Sequence, residues 1–158
     1  MLEKGAKIEE PSTFGFPINW AAGYHHIKTV EFLISKGASP NGDNKGLIPS
    51  PLILSADYDN SDLFNLLISH GADPNITDSA GWSVLHLCAE KGHMEFTKAL
   101  IEKGANPNYL NEKKTPLQLA FEHSQMDLYQ YLKAFTSHEV DHVLAKEFQE
   151  KLNLEKEQ

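Results

Sequence analysis

The sequence predicts an all-α chain of paired helices stacked as a repeat solenoid, and three observations carry that prediction. First, Gly-Ala recurs at Gly5-Ala6, Gly37-Ala38, Gly71-Ala72 and Gly104-Ala105, at spacings of 32, 34 and 33 residues. The last three pairs continue into Ser39-Pro40-Asn41, Asp73-Pro74-Asn75 and Asn106-Pro107-Asn108, and self-similarity at a fixed period of this size marks a repeat architecture. Second, an apolar run of helical character precedes each of these three glycines: Val30/Phe32/Leu33/Ile34, Leu63/Phe64/Leu66/Leu67/Ile68 and Phe96/Ala99/Leu100/Ile101. Third, a shorter helical segment precedes each run, beginning at Pro17, Pro51 and Val84, with a fourth at Pro116-Leu117-Gln118-Leu119-Ala120.

Each element has a local reason. A glycine closes a helix by taking the left-handed conformation, and a proline soon after prevents the helix from resuming. Ser83 and Thr115 stand where a hydroxyl caps a helix, and Pro116 sits in a first turn that needs no amide there. Ala21, Ala22, Ala56, Ala89 and Ala120 are small enough for helices to approach closely. No unit of about 33 residues buries its own apolar face, so stability must come from stacking on neighbours. On this register residues 1–10 are the remnant or cap of a preceding unit, with Leu2 to Lys7 as its last turn. Residues 11–42, 43–76, 77–109 and 110–134 are four units, and residues 135–158 are a C-terminal segment. In that segment Val140, Val143, Leu144, Phe148 and Leu152 fall on one stripe of an amphipathic helix, a cap on the fourth unit or a linker. Beginning inside a unit and stopping in Leu154-Glu155-Lys156-Glu157-Gln158, the chain reads as part of something longer.

These residues resemble the ankyrin-repeat family, with its T-P-L-H-x-A motif, a following Gly-His, a second helix and G-A-D-x-N. The third unit is nearest, from Asp78 through Ser83-Val84-Leu85-His86-Leu87-Cys88-Ala89 and Gly92-His93 to Gly104-Ala105-Asn106-Pro107-Asn108. The fourth keeps Thr115-Pro116-Leu117 and loses the pattern after Leu132. The first has Phe16 in place of the threonine and Asn19 in place of the histidine. The second has Ile53 at that histidine position and an enlarged finger between Gly46 and Pro51. The resemblance covers about residues 11–134 and implies an ankyrin-type solenoid, paired antiparallel helices with β-turn fingers, that binds a protein partner. It also implies that Asn41, Asn75 and Asn108 are candidate hydroxylation sites.

Composition narrows the function. The 158 residues hold fourteen basic side chains, all lysine, against twenty-two acids, for a net charge of −8. Nucleic-acid surfaces want the reverse, with cations to neutralise phosphates and guanidinium forks to read bases. Half of that net charge falls in residues 41–75, which have one lysine and five acids. The N-terminus lacks the stretch of a secretion signal, and the apolar runs are too short for a membrane span. A single cysteine, Cys88, cannot form an internal disulfide or a cysteine zinc cage, in keeping with the cytosol or nucleus. The chain is expected to be monomeric and to need no cofactor.

Catalytic motifs fare poorly. His138-Glu139-Val140-Asp141-His142 formally matches H-E-x-x-H, yet a zinc hydrolase needs a third ligand and a cleft, and only sixteen residues follow. These residues read instead as the polar face of the C-terminal helix. Asp57-Tyr58-Asp59-Asn60-Ser61-Asp62 has aspartate where a calcium loop needs glycine, and Ile68 where it needs glutamate. It reads as an inter-helix turn capped by Asn60 or Ser61. His25, His26, His93 and His123 also fall at such turns, and Cys88 reads as a small core residue.

What remains is a surface. The resemblance implies that fingers and first helices line one concave face, where equivalent positions form columns. One column is Gly23, Asp57, Glu90 and Glu122; its neighbour is Tyr24, Tyr58, Lys91 and His123; the fingers add Phe14, the bulge from Lys45 to Ser50, and Trp82. The predicted partner-binding residues are therefore Tyr24, Asp57, Tyr58, Trp82, Glu90, Lys91 and Glu122, facing a protein segment with net positive charge. The opposing reading makes the tyrosines helix-packing residues and the acids a solvated face. A function of another class, a regulatory or targeting segment of a larger multidomain enzyme, fits the same sequence.

Overall fold

The computed structural model describes residues 7–9, 15–43, 48–111, 114–136 and 146. Among these residues eight helices with defined bounds follow in order: α1 (Pro17–Gly23), α2 (Ile27–Ser35), α3 (Pro51–Asp57), α4 (Ser61–Ser69), α5 (Val84–Lys91), α6 (Met94–Glu102), α7 (Pro116–Glu122) and α8 (Met126–Lys133). They form four pairs. Among the described residues the extended backbone pairs only at isolated bridges, Thr77 with Ser83 and Asn111 with Lys114. These bridges close turn fingers. Phe14, residues 44–47 of the enlarged finger, residues 1–6 of the N-terminal remnant, the H-E-x-x-H segment and nearly all of the predicted C-terminal helix lie outside the described residues.

The starts of the first helices follow from capping. Ser50 accepts from the Ile53 amide, Ser83 from the His86 amide, and Thr115 from the Gln118 amide while the Gln118 Oε1 accepts from the Thr115 amide. Phe16 at the equivalent place in the first unit makes no side-chain cap. Asn60, at the start of α4, accepts from the Leu63 amide at 3.1 Å, so the calcium-like segment is a capped inter-helix turn. Gly37, Gly71 and Gly104 follow the second helices with φ of 96°, 80° and 90°, the left-handed closure their spacing predicts.

Stacking runs through the first helices, α1 on α3, α3 on α5 and α5 on α7, and α2 also meets α4. Ala22, Ala56, Ala89 and Ala120 are all fully buried between them. In the outer row Phe64 and Phe96 stack in parallel with centroids 4.2 Å apart. Cys88 is buried in this core, and burial pushes its thiol pKa far above the ordinary value, which leaves it unreactive.

Candidate functional site

Two cavities adjoin on the face built from fingers and first helices. One, of about 400 Å³, opens between the second and third units and is lined by Pro49, Ile53, Asp57, Trp82, Leu87 and Glu90. Asp78 lines it too. The other, of about 350 Å³, opens between the first and second units against Trp20, Tyr24, Leu54 and Tyr58. Pro49 lines both. The shared proline is held from behind: Asn19, fully buried in α1, donates through Nδ2 to the carbonyls of Pro49 (2.9 Å) and Asp43 (2.8 Å). Its Oδ1 accepts from the Asp43 amide at 2.9 Å. The amide side chain thus fastens both described arms of the enlarged finger.

Tyr24 and Tyr58 are 63% and 53% exposed, so they are not helix-packing residues. Their rings are nevertheless held in place. Trp20 stacks on Tyr24 at 5.8 Å and 7°, and His25 meets Tyr58 edge-on at 4.8 Å. Trp82 stands on a closed finger in which its amide donates to Asp78 Oδ1 at 2.8 Å and its carbonyl accepts from the Asp78 amide at 2.9 Å. The indole and the His86 ring meet in a T-shaped pair with centroids 5.5 Å apart. Aromatics positioned in advance lose little freedom on binding.

The charged residues divide. Lys91 donates to both Asp57 Oδ1 and the Asp57 carbonyl at 2.7 Å, so these two act as a pair, with much of the Asp57 charge compensated. Glu90 has the His123 Nε2 beside it at 3.9 Å. Glu122 is bonded to Lys114 at 2.7 Å, one unit further along and away from both cavities. The structure therefore brings Asp57, Trp82 and Glu90 to one cavity and Tyr24 and Tyr58 to the other. Trp20, Leu54 and Asp78 escaped the sequence reading, which had Pro49 only as part of the bulge from Lys45 to Ser50. The repeat register offered a signal for two of them, since Trp20 and Leu54 occupy the column of Leu87 and Leu119.

Comparison with known proteins identifies the class. The family model for ankyrin repeats, three copies long, matches residues 1–78 and again residues 52–143. The chain belongs to the ankyrin-repeat family. It is 35% identical over 118 residues to the ankyrin repeat protein nuc-2 of Neurospora crassa, covering 73% of this chain and 11% of that one. It is 26% identical over 151 residues to the ankyrin repeat protein OPG189 of Variola virus, covering 89% of this chain and 27% of that one. It is also 36% identical over 70 residues to the palmitoyltransferase AKR1 of Lachancea kluyveri, covering 44% of this chain and 10% of that enzyme. The chain thus spans much less than two thirds of each of these relatives. Ankyrin repeats in general bind protein partners. No helix among the described residues is long and apolar enough to cross a membrane, and no group of three His, Cys, Asp or Glu side chains among them converges as a metal ion requires.

Proposed function

We propose that this chain is a non-catalytic interaction module, acting as a monomer in the cytosol or nucleus, that takes a positively charged segment of a protein partner across its first three units. The observation that carries this reading is the pair of cavities lined by prepositioned aromatics, one of them also by carboxylates, on a chain of net charge −8. Tyr24, Tyr58 and Trp82 supply contact area at small entropic cost. Glu90 steers the approach together with the Asp57–Lys91 pair, and Glu122 extends the acidic column towards the fourth unit.

The test places a photo-crosslinking side chain at position 58, 82 or 102 in cells of the source organism, identifies the captured protein, and then measures its affinity for purified variants. Tyr58→Ala and Trp82→Ala should each weaken binding about thirtyfold, through the dissociation rate. Glu90→Lys and Asp57→Lys should act mostly on association rate and salt dependence. Glu102→Lys, on α6, should change neither. Affinity that survives all four face variants, or falls only with Glu102→Lys, places the interface elsewhere.

A second reading, a regulatory or targeting segment of a larger enzyme, draws on the partial matches to palmitoyltransferases of Lachancea kluyveri and Neurospora crassa over 70 and 78 residues. Reading the transcript on both sides of this segment decides it: a catalytic domain in the same frame favours this reading, and a stop codon in its place removes it.

A further inference from the structure

We propose that the two cavities read two different side chains of one extended segment: an arginine between the second and third units, and an aromatic or aliphatic side chain between the first and second. The proposal rests on the interaction-module reading and adds a register to it. The cavities differ in chemistry. Asp57, Asp78 and Glu90 line the one that holds Trp82, whereas among the described residues no charged one lines the cavity formed by Trp20, Tyr24, Leu54 and Tyr58. A guanidinium is planar and weakly hydrated, so it lies flat on an indole while its N–H groups reach carboxylates at the edge. Lysine, a compact and strongly hydrated charge, gains less from that wall. The second cavity offers an arriving side chain apolar and ring surface, with Ile48 and Pro49 on its finger side.

Pro49 turns two adjoining cavities into separate compartments, because it lines both and its carbonyl is tied to the buried Asn19. The compartments belong to successive inter-unit junctions, about one helix diameter or ~10 Å apart. An extended chain advances ~3.3 Å per residue, so the two recognised side chains stand about three residues apart. A segment crossing Pro49 in the extended polyproline II form repeats every three residues, at ~3.1 Å per residue, so side chains three apart both meet the face and the two positions between them point elsewhere.

The experiment uses the purified 158-residue chain and fluorescein-labelled dodecapeptides of Ser, Gly and Ala that hold one Arg and one Phe at separations of one to six residues, in both orders. Anisotropy is read at low and at high salt. Affinity should peak at a separation of about three in one order, about tenfold above separations of one and six. Trp20→Ala should erase the gain from Phe and keep that from Arg, and Tyr24→Ala serves the same purpose should the tryptophan variant unfold. Glu90→Gln should do the converse. Exchanging Arg for Lys in the peptide should weaken binding and steepen its salt dependence. Basic peptides that bind without regard to spacing, with both variants weakening every peptide alike, overturn the two-compartment register and leave the interaction-module reading standing. No saturable binding up to ~1 mM, or binding indifferent to Tyr58→Ala and Trp82→Ala as well, overturns both.

Discussion

The third unit has Gly92 as the C-cap of α5, with φ 78°, while the equivalent positions in the other units are His25, Asp59 and Ser124, with φ of 59°, 53° and 59°. A side chain in that left-handed region costs about 1–2 kcal/mol. Ser124 has the least to lose, because His25 packs on Tyr58 and Asp59 lies 3.5 Å from His93. Ser124→Gly should therefore raise stability by about 0.5–1 kcal/mol, after allowance for the freer unfolded chain, read as a higher urea midpoint at unchanged slope. Asn75 shows the opposite dependence. Its Oδ1 accepts from the Asn106 amide at 2.8 Å and its Nδ2 donates to the Gly104 carbonyl at 3.1 Å, joining one unit to the next. Asn75→Ala should cost about 1–2 kcal/mol. Burial pushes the pKa of His86 below the ordinary 6.5, and the ring sits between the Ser83 hydroxyl at 2.7 Å and the Lys114 carbonyl at 3.2 Å. Since the carbonyl only accepts, Nε2 holds the proton in the neutral ring and Nδ1 takes the hydroxyl hydrogen bond. With a folded pKa below the unfolded one, the stabilisation is complete above pH 6.5 and fades as pH falls through the folded value. His86→Gln, the residue the fourth unit has at this place, should flatten that slope when parent and variant melts are compared from pH 7 down to about 5.

At the scale of elements the finger of the second unit is the informative case. Its extra residues were legible as a count between Gly46 and Pro51, and an enlarged finger reads in a sequence as a loosened one. The structure shows its described arms fastened by Asn19, which occupies the histidine position of the repeat motif and so registers in the sequence only as a departure from it. A buried amide that satisfies backbone groups 24 and 30 residues away has no local signature. Helix starts were different: Ser83, Thr115 and Asn60 cap through bonds three residues long in sequence, and such contacts can be read from spacing alone. Asn19→Ala leaves the Asp43 amide and the Asp43 and Pro49 carbonyls without this partner, and should cost about 2–3 kcal/mol in urea denaturation. It should also speed hydrogen exchange at Asp43, the amide that Oδ1 now holds.

Across the whole molecule the repeat period made the stack legible, because each unit buries its face only on a neighbour and the apolar columns recur with the period. The candidate site was legible by halves. Columns in the register singled out Tyr24, Tyr58, Asp57 and Glu90, but the pairing of Lys91 with Asp57 across 34 residues depends on how one unit sits on the next. So does the placing of Pro49 between two cavities. The same nearest-neighbour logic ranks the units. Both interior first helices have a neighbour on each side, α3 between α1 and α5, and α5 between α3 and α7. Burial alone does not separate them, since α3 is buried from Pro51 to Ala56. Three differences do. The third unit has glycine at its left-handed turn where the second has Asp59, its finger is closed by the Thr77–Ser83 bridge without extra residues, and His86 links it to the finger of the fourth unit. Opening the second unit breaks a junction with the most divergent of the four; opening the third breaks one with the well-capped α7. Native-state hydrogen exchange should therefore find amides at 85–102 the slowest in the chain, and those at 52–70 faster. Equal protection of the two segments would show that the tie from Asn19 to the second finger offsets the strained turn, and the ranking would then fall.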